Sequence, residues 1–343
     1  MRVVVVGGGP VGLFAAVTAA VRGHDVVVLE RRGGDGDKAC GEGLMPSATR
    51  ALAAIGVEPS GIPFSGIRYL DASGRHQVRA DLRGGRGLGV RRTTLVAALR
   101  ARAHETGVDM HQGSVADVGR DGSAAVICTD GSRHEGDVVL GCDGLGSTVR
   151  SALGLDVPVT GTPRYGLVAH YAVEPWSTDV EVHWGRDGEA YVTPVGPGLV
   201  GVAALGGRGP SLPDRLSELD ALRSRLDGAL QVGKVQGAGP LRRRASSPVR
   251  GPFALVGDAA GYVDALTGEG LAVGFRSAVA AIRAAEEARL DRYADDWRSI
   301  VRTSTLLTEV LVRATRNRSL RRALVSASSG LPAVFGRAVA VLE

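Results

Sequence analysis

The first thirty residues constrain this chain more than any other stretch of it. Val3 to Val6 is a β-branched run that ends at Gly7-Gly8-Gly9-Pro10-Val11-Gly12, and Leu13 to Arg22 then reads as an alanine-rich helix. A second apolar run, Val26 to Leu29, closes on Glu30. In a chain with 50 glycines the spacing G-x-G-x-x-G carries little weight alone. Here a strand precedes it, a helix follows it, and an acid stands eighteen residues beyond Gly12. Each part has a physical task in holding a diphosphate. Gly7 allows the tight turn, Gly9 lets the backbone approach the phosphates, and Gly12 lets helix pack on strand. The helix start offers free N–H groups and a partial positive charge, and Glu30 is placed to accept bonds from ribose hydroxyls.

Composition enters as a set of exclusions. At 343 residues the chain suits one large domain or two intimate ones, and 44 % hydrophobic residues support a full core. Aromatics are only 4 %, so alanine, valine and leucine do most of the packing. The formal charge of +5 is mild, and the densest basic run, Arg242-Arg243-Arg244, lacks interleaved aromatics. It reads as a solvated strand end, and no nucleic-acid partner is expected. Cys40, Cys128 and Cys142 are too few and too scattered for a disulfide framework or a zinc site, so a reducing, cytoplasmic setting and no metal are expected. No window reads as a transmembrane helix or a signal peptide.

In order along the chain, Arg31 to Gly43 is a glycine-rich loop, and Pro46 opens a short helix carrying Ala48, Leu52 and Ile55 up to Gly56. Gly66 to Leu70 and Gln77 to Leu82 flank Asp71-Ala72-Ser73-Gly74 as a hairpin. Leu95 to His104 has helical spacing, and Met110 to Val118, Ala124 to Thr129 and Asp137 to Leu140 read as strands. Tyr165 to Val173, Val180 to Trp184, Ala190 to Pro194 and Leu199 to Leu205 predict an antiparallel sheet. Ser211 caps a helix bearing Leu216, Leu219, Leu222 and Leu226. Phe253 to Val256 is a buried strand, Thr267 to Gly270 opens a helix to about Ala288, and Asp291 to Glu343 reads as helical. Its apolar stripe is Trp297, Ile300, Val301, Leu306, Leu307 and Val310.

Two further glycine–acid signals follow the first in order: Gly141-Cys142-Asp143-Gly144 and Val256-Gly257-Asp258-Ala259-Ala260-Gly261. Singly, each is a common turn or strand end. Together, at these separations, they resemble the flavoprotein superfamily of para-hydroxybenzoate hydroxylase and the geranylgeranyl reductases. That resemblance implies an α/β fold: a Rossmann-like FAD-binding domain, an inserted antiparallel β-sheet substrate domain, and C-terminal helices. The expected FAD domain is 1–62, 89–156 and 246–290, the β-rich domain 63–88 and 157–245, and the helical segment 291–343.

The resemblance further implies FAD bound in an extended form. Gly7, Gly9, Pro10, Val11 and Gly12 would hold the diphosphate and Glu30 the adenosine ribose. Arg31 and, through its backbone, Val115 would lie near the adenine, Asp258 would accept from the ribityl chain, and Arg92 matches another cofactor contact. Asp143 would brace the fold around the cofactor. Gly268 and Gly270 permit close approach of a helix N-terminus to the flavin N1/O2 edge, with the Leu271 and Ala272 amides as donors. A single dinucleotide fingerprint means that NAD(P)H binds transiently as reductant.

The favoured reaction is NAD(P)H-driven hydroxylation of a hydrophobic small molecule. The alternative is hydride delivery to a carbon–carbon double bond, toward which Lys38 to Gly43 and Leu266 to Gly270 lean. Ala265 stands where many relatives carry proline. A flavin halogenase and a non-enzymatic FAD sensor are weaker alternatives. No catalytic side chain is assigned. Cys40 is a packing residue or a redox thiol, and His170, His183 and Trp184 are structural or pocket-lining. Arg313, Arg316, Arg318, Arg321 and Arg322 form a solvated face or a peripheral membrane contact.

Overall fold

The computed structural model describes residues 1–343 apart from 34–36, 120–121, 317–320, 322–324, 326–335, 337–338 and 341–343. Parallel strands need crossovers, and the alanine-rich helix Pro10–Ala20 supplies the first one, between Arg2–Val6 and Asp25–Glu30. On its other side Arg2–Val6 pairs in parallel with Val138–Gly141, with Val3 opposite Val138. The six-stranded sheet continues outward to Asp109–Gln112 on one side and to Phe253–Leu255 and Val249–Arg250 on the other. Strand order therefore reverses around Arg2–Val6, the place where doubly wound sheets bind ligands beyond their carboxyl ends. Valine runs such as Val3 to Val5 are wholly buried because helices cover one face and the three-stranded sheet Val115–Val118, Ala124–Cys128 and Arg133–Gly136 covers the other. The long helix Gly270–Glu286 packs on Pro10–Ala20, where Phe14 and Phe275 stack with ring centres 4.2 Å apart.

The second sheet has seven strands in the order Leu230–Ala238, Tyr165–Ala172, Leu199–Gly206, Gly188–Gly196, Asp179–Trp184, Gly66–Asp71, Gln77–Asp81. It is not purely antiparallel as expected: Asp179–Trp184 and Gly66–Asp71 run in parallel. The hairpin of residues 66–81 arrives by an excursion from the first sheet, so no tight turn dictates its direction.

Three other expectations need correcting. The strand expected over Met110 to Val118 is two, Asp109–Gln112 and Val115–Val118, which join different sheets. The break falls at Gly113, whose N–H bonds the Glu30 carbonyl at the end of the neighbouring strand. The helix expected after Ser211 is also two, Leu212–Leu216 and Asp220–Leu226. Leu219 leaves the helical conformation between them yet stays buried with Leu216 and Leu222, so the apolar spacing survives the break. The Ser211–Asp214 capping box forms as the sequence implies.

The C-terminal helix Tyr293–Arg316 buries Trp297, Thr308, Val312 and Thr315, while Leu306 and Val310 are 66 % and 54 % exposed. The expected stripe is thus rotated, because Thr308 turns inward to meet Thr267 at 3.2 Å. Helicity beyond Arg316 lies largely outside the described residues. Arg321 is described and points inward, its Nε donating to the Thr315 carbonyl at 2.7 Å. It does not belong to a solvated face. Arg318 and Arg322 lie outside the described residues.

Candidate functional site

The glycine turn is tight enough to exclude side chains. Gly7 has φ +107°, and a Cβ there would meet the Cys142 carbonyl oxygen at 2.7 Å. A Cβ on Gly12 would sit 1.8 Å from the Gly7 carbonyl oxygen, so helix and strand touch backbone to backbone. Sequence reasoning passed over Gly8, whose N–H donates to Glu30 Oε2 at 2.6 Å. Glu30 Oε1 accepts from the Arg32 N–H at 2.9 Å, so both oxygens are aimed by backbone donors. The signal was present in the run of three glycines, since a Gly8 Cβ would meet the Glu30 Cβ at 2.9 Å.

One continuous cavity starts at this turn and crosses to the seven-stranded sheet. Gly7, Gly9, Pro10 and Val11 line it on the glycine-turn side, together with Glu30, Arg31 and Val115. Arg92, the first residue of the helix Arg92–Glu105, places its guanidinium 3.4 Å from where a Gly9 Cβ would stand. Lys38, read in the sequence only as the start of the Lys38 to Gly43 motif, joins Arg31, Arg32 and Arg92 in a group of cations here. Burial and then Arg92 push its ammonium pKa down, and Asp258 partly restores it. Asp258 sits in the turn Gly257–Ala259 that ends Phe253–Leu255. Burial pushes its carboxyl up to about 6, against the opposing pull of Lys38 and Arg92.

Asp143 caps the short helix Thr148–Ala152: Oδ2 accepts the Thr148 N–H at 2.7 Å and the Val149 N–H at 3.2 Å. Its Oδ1 is buried without a partner and the residue lines the cavity. Further along, Ala265–Thr267 form a single turn and Gly268 takes φ +69° before the helix Gly270–Glu286 begins. Gly268, Gly270 and Leu271 line the cavity. Ala272 lies one residue deeper, buried in the core between the helices. Gly12 likewise shapes the turn from behind the cavity wall.

The far wall belongs to the seven-stranded sheet. Ile67 and Tyr69, Val180 and Val182, and Tyr191 and Thr193 all face in, with Phe64, Leu205, Leu266 and Val339 closing the space. The members of each pair lie two positions apart on one strand, so alternation was the available signal. It went unused because nothing in a single sequence says which face meets the cofactor. Tyr191 Oη donates to the Leu266 carbonyl at 2.8 Å and ties this wall to the Ala265–Thr267 turn. Burial raises the pKa of Tyr69, Tyr191 and Tyr262 above the usual phenol value, so all three remain hydrogen-bond donors near neutrality.

His170, His183 and Trp184 lie outside the cavity wall. His170 pairs with Glu42 at 2.6 Å, His183 with Glu181 at 3.1 Å, and Trp184 packs against Tyr69. Cys40 does line the cavity, and enclosure there pushes its thiol pKa up, away from thiolate. All three cysteines are unpaired. Arg243–Arg244 pairs with Gly261–Tyr262, and Arg242 bridges to Glu309, so the basic run is occupied within the fold. Among the described residues no cluster could hold a metal ion, and no helix is long and apolar enough to cross a membrane.

Comparison with known proteins places this geometry among relatives. A family model for the FAD binding domain matches residues 1–208. The chain is 31% identical over 334 residues to the menaquinone reductase of Mycolicibacterium smegmatis (strain ATCC 700084 / mc(2)155), covering 87% of this chain and 80% of that one. It is 33% identical over 181 residues to the FAD-dependent monooxygenase OpS4 of Beauveria bassiana (strain ARSEF 2860). That match covers 49% of this chain and spans less than half, 42%, of the fungal protein. A geranylgeranyl bacteriochlorophyll reductase-like protein from Thermoplasma acidophilum superposes with TM-score 0.85 at 21% identity, covering 99% of this chain and 95% of that one. At that identity the likeness concerns the fold.

Proposed function

The chain belongs to the FAD binding domain family and is an FAD-dependent oxidoreductase, and from that premise we propose that it reduces a carbon–carbon double bond of an apolar small molecule at the expense of NAD(P)H. The carrying observation is coverage. The relative matched along 80% of its own length is named a menaquinone reductase, whereas the monooxygenase match is confined to 42% of its partner. The apolar far wall, formed by Phe64, Ile67, Val180, Val182 and Leu205, suits a long hydrocarbon substrate.

The residues present fit FAD. A backbone-lined glycine turn, four cations near it and an unpartnered buried Asp143 Oδ1 are features that a dinucleotide diphosphate and its hydroxyls would satisfy. Gly7 to Gly12 would hold the diphosphate, Glu30 the ribose, Arg31 and Val115 the adenine end, and Arg92 and Asp258 the middle of the cofactor. Gly268, Gly270 and the Leu271 amide would face the ring edge. Bound FAD supplies a two-electron carrier between nicotinamide and substrate. The chain supplies position: Tyr191 pins the Ala265–Thr267 turn, and the apolar wall holds a substrate chain while excluding water.

Hydroxylation is the second reading, favoured by the 33% identity to a monooxygenase across the FAD-binding half. Turnover of menaquinone and geranylgeranyl lipids with NADPH or NADH, under ¹⁸O₂ and with deuterated nicotinamide, separates the two. Product in which a side-chain carbon–carbon double bond has gained two hydrogens and no ¹⁸O supports reduction, and formation of the quinol alone overturns the double-bond reading. Product carrying ¹⁸O sinks it in favour of hydroxylation.

A further inference from the structure

Glu42 is the one acid in the cavity wall with a left-handed backbone, φ +57°. That conformation costs a non-glycine residue about 1 kcal/mol, and such strain persists where surrounding contacts enforce it. The contacts are dense. The side chain is buried, and its Oε1 accepts the Arg92 N–H at 2.8 Å and lies 3.4 Å from Arg91 Nε. Its Oε2 meets His170 Nε2 at 2.6 Å. The Glu42 carbonyl accepts from Val90 N–H at 2.9 Å. One residue thus joins the loop of residues 38–43, the start of the Arg92–Glu105 helix, and the strand Tyr165–Ala172 of the other sheet.

The neighbourhood is shaped around this junction. Gly201 lies opposite His170 in the sheet, and a Cβ there would approach Glu42 Oε2 to 3.1 Å. Thr193 Oγ1 donates to the Gly41 carbonyl at 2.9 Å, a second tie from the same sheet to the same loop. Arg92, whose N–H the carboxylate holds, is the residue whose guanidinium reaches the space over Gly9.

We propose that Glu42 and His170 are positioning residues for FAD: the buried His170–Glu42 pair fixes the helix start so that Arg92 is aimed at the cofactor's diphosphate. This rests on FAD occupying the cavity beside Gly9. His170 acts through Glu42, and Glu42 acts through Arg92. The seven-stranded sheet therefore contributes to cofactor affinity without touching the cofactor.

The test is FAD affinity of the apoprotein, read by flavin fluorescence, alongside its melting temperature. Glu42→Gly keeps a residue that favours the left-handed backbone and removes the side chain with its carboxylate. The dissociation constant should rise about tenfold or more, the loss of one charge-assisted bond. His170→Ala should do the same, and His170→Gln, which retains a donor, should recover part of it. In an Arg92→Ala background, His170→Ala should cost no further affinity. Wild-type affinity in Glu42→Gly, or additive losses in the His170 and Arg92 pair, would overturn the proposal. Failure of the wild-type apoprotein to bind FAD at all would instead overturn the cofactor placement. If His170→Ala does not fold, Glu42→Gly and its double variant with Arg92→Ala give the same decision.

Discussion

The two sheets solve opposite problems. Around Arg2–Val6 the interior is almost purely apolar, and at its edge backbone bared by glycine stands beside a few charged side chains such as Glu30 and Arg92. The seven-stranded sheet buries charge instead. Asp179, 1 % exposed, is held by Arg68 and Arg79, Glu181 by His183 and Trp176, and Glu189 and Asp264 share Arg164. A backbone-built site is local and repeats in any chain that binds the same group. A site built of side chains from alternate strand positions is assembled only by the tertiary fold. The first is therefore rigidly specified, and the second is free to change with substrate.

If that contrast holds, glycine substitutions separate the two regions most sharply. Gly12→Ala drives a methyl into the Gly7 carbonyl oxygen at 1.8 Å, backbone against backbone with no side chain to move aside. It should abolish FAD binding and cost about 3 kcal/mol or more in stability. Gly188→Ala, within the seven-stranded sheet, meets the Leu205 carbonyl oxygen at 2.3 Å and should cost comparable stability while leaving FAD affinity unchanged. Urea unfolding and flavin retention report both, and equal effects on flavin retention would erase the distinction.

Two aspartates sharpen it further. Asp258→Ala removes a cavity carboxylate and should weaken FAD binding by about 1.5–3 kcal/mol, roughly ten- to hundredfold, with little change in apoprotein stability. Asp179→Ala removes the anchor of Arg68 and Arg79 far from the glycine turn. It should cost a similar energy in stability and leave FAD affinity alone. Calorimetric titration and thermal unfolding should thus return mirror-image results. Unchanged flavin affinity in Asp258→Ala would remove that residue from the cofactor's contacts.

The buried charge also sets a pH signature. Burial pushes the Asp264 carboxyl up to about 6, with Arg164 pulling down and Glu189 pushing up. A carboxyl whose folded-state pKa is raised stabilises the protein while protonated, so its contribution falls as pH rises from about 4 to about 6. Asp264→Asn keeps the shape without the titration. Its stability relative to wild type should climb by about 1–3 kcal/mol over that window and stay level above it. Urea midpoints at successive pH values measure this, and a pH-independent difference would remove Asp264 from the account.

How much was legible follows the same division. The glycine turn, Glu30, Asp258 and the Gly268–Gly270 turn line one cavity, and each could be picked out because it lies at a strand end or helix start that local spacing reveals. Gly8 and the place of Lys38 among the cations were missed inside legible motifs, one hidden among adjacent glycines and the other in an irregular loop. Tyr69, Tyr191 and Val182 could not be assigned, since facing the cavity depends on which side of the sheet meets the other domain. His170 stayed open between a structural and a pocket-lining role for the same reason: its strand was legible, but its direction, toward Glu42 across 128 residues of chain, was not in any local pattern. The inward rotation of Tyr293–Arg316 was decided by one buried pair, Thr267 with Thr308.

The smallest expected effect tests whether the backbone also tunes the cofactor's chemistry. Gly270 opens the helix Gly270–Glu286, the first helical position, where proline is well tolerated. Gly270→Pro should fold once Glu269, at φ −89° and ψ 0°, shifts to the extended conformation that a residue before proline requires. Its added ring must fit beside Tyr262 Cε2, which a Cβ would approach to 3.4 Å, an adjustment of tenths of an ångström. What it removes is one N–H at the helix start. If that end faces the flavin N1/O2 edge, the reduced flavin is the N1-deprotonated anion at neutral pH, and the anion gains from the donor while the oxidised ring gains little. A single donor at a helix N-terminus is worth about 0.5–1 kcal/mol. For a two-electron couple about 30 mV corresponds to 1.4 kcal/mol, so the potential should fall by about 10–20 mV. Spectral titration against a reference dye resolves that shift. An unaltered potential in a folded, flavin-bound variant would mean that Gly268 and Gly270 serve only to turn the chain.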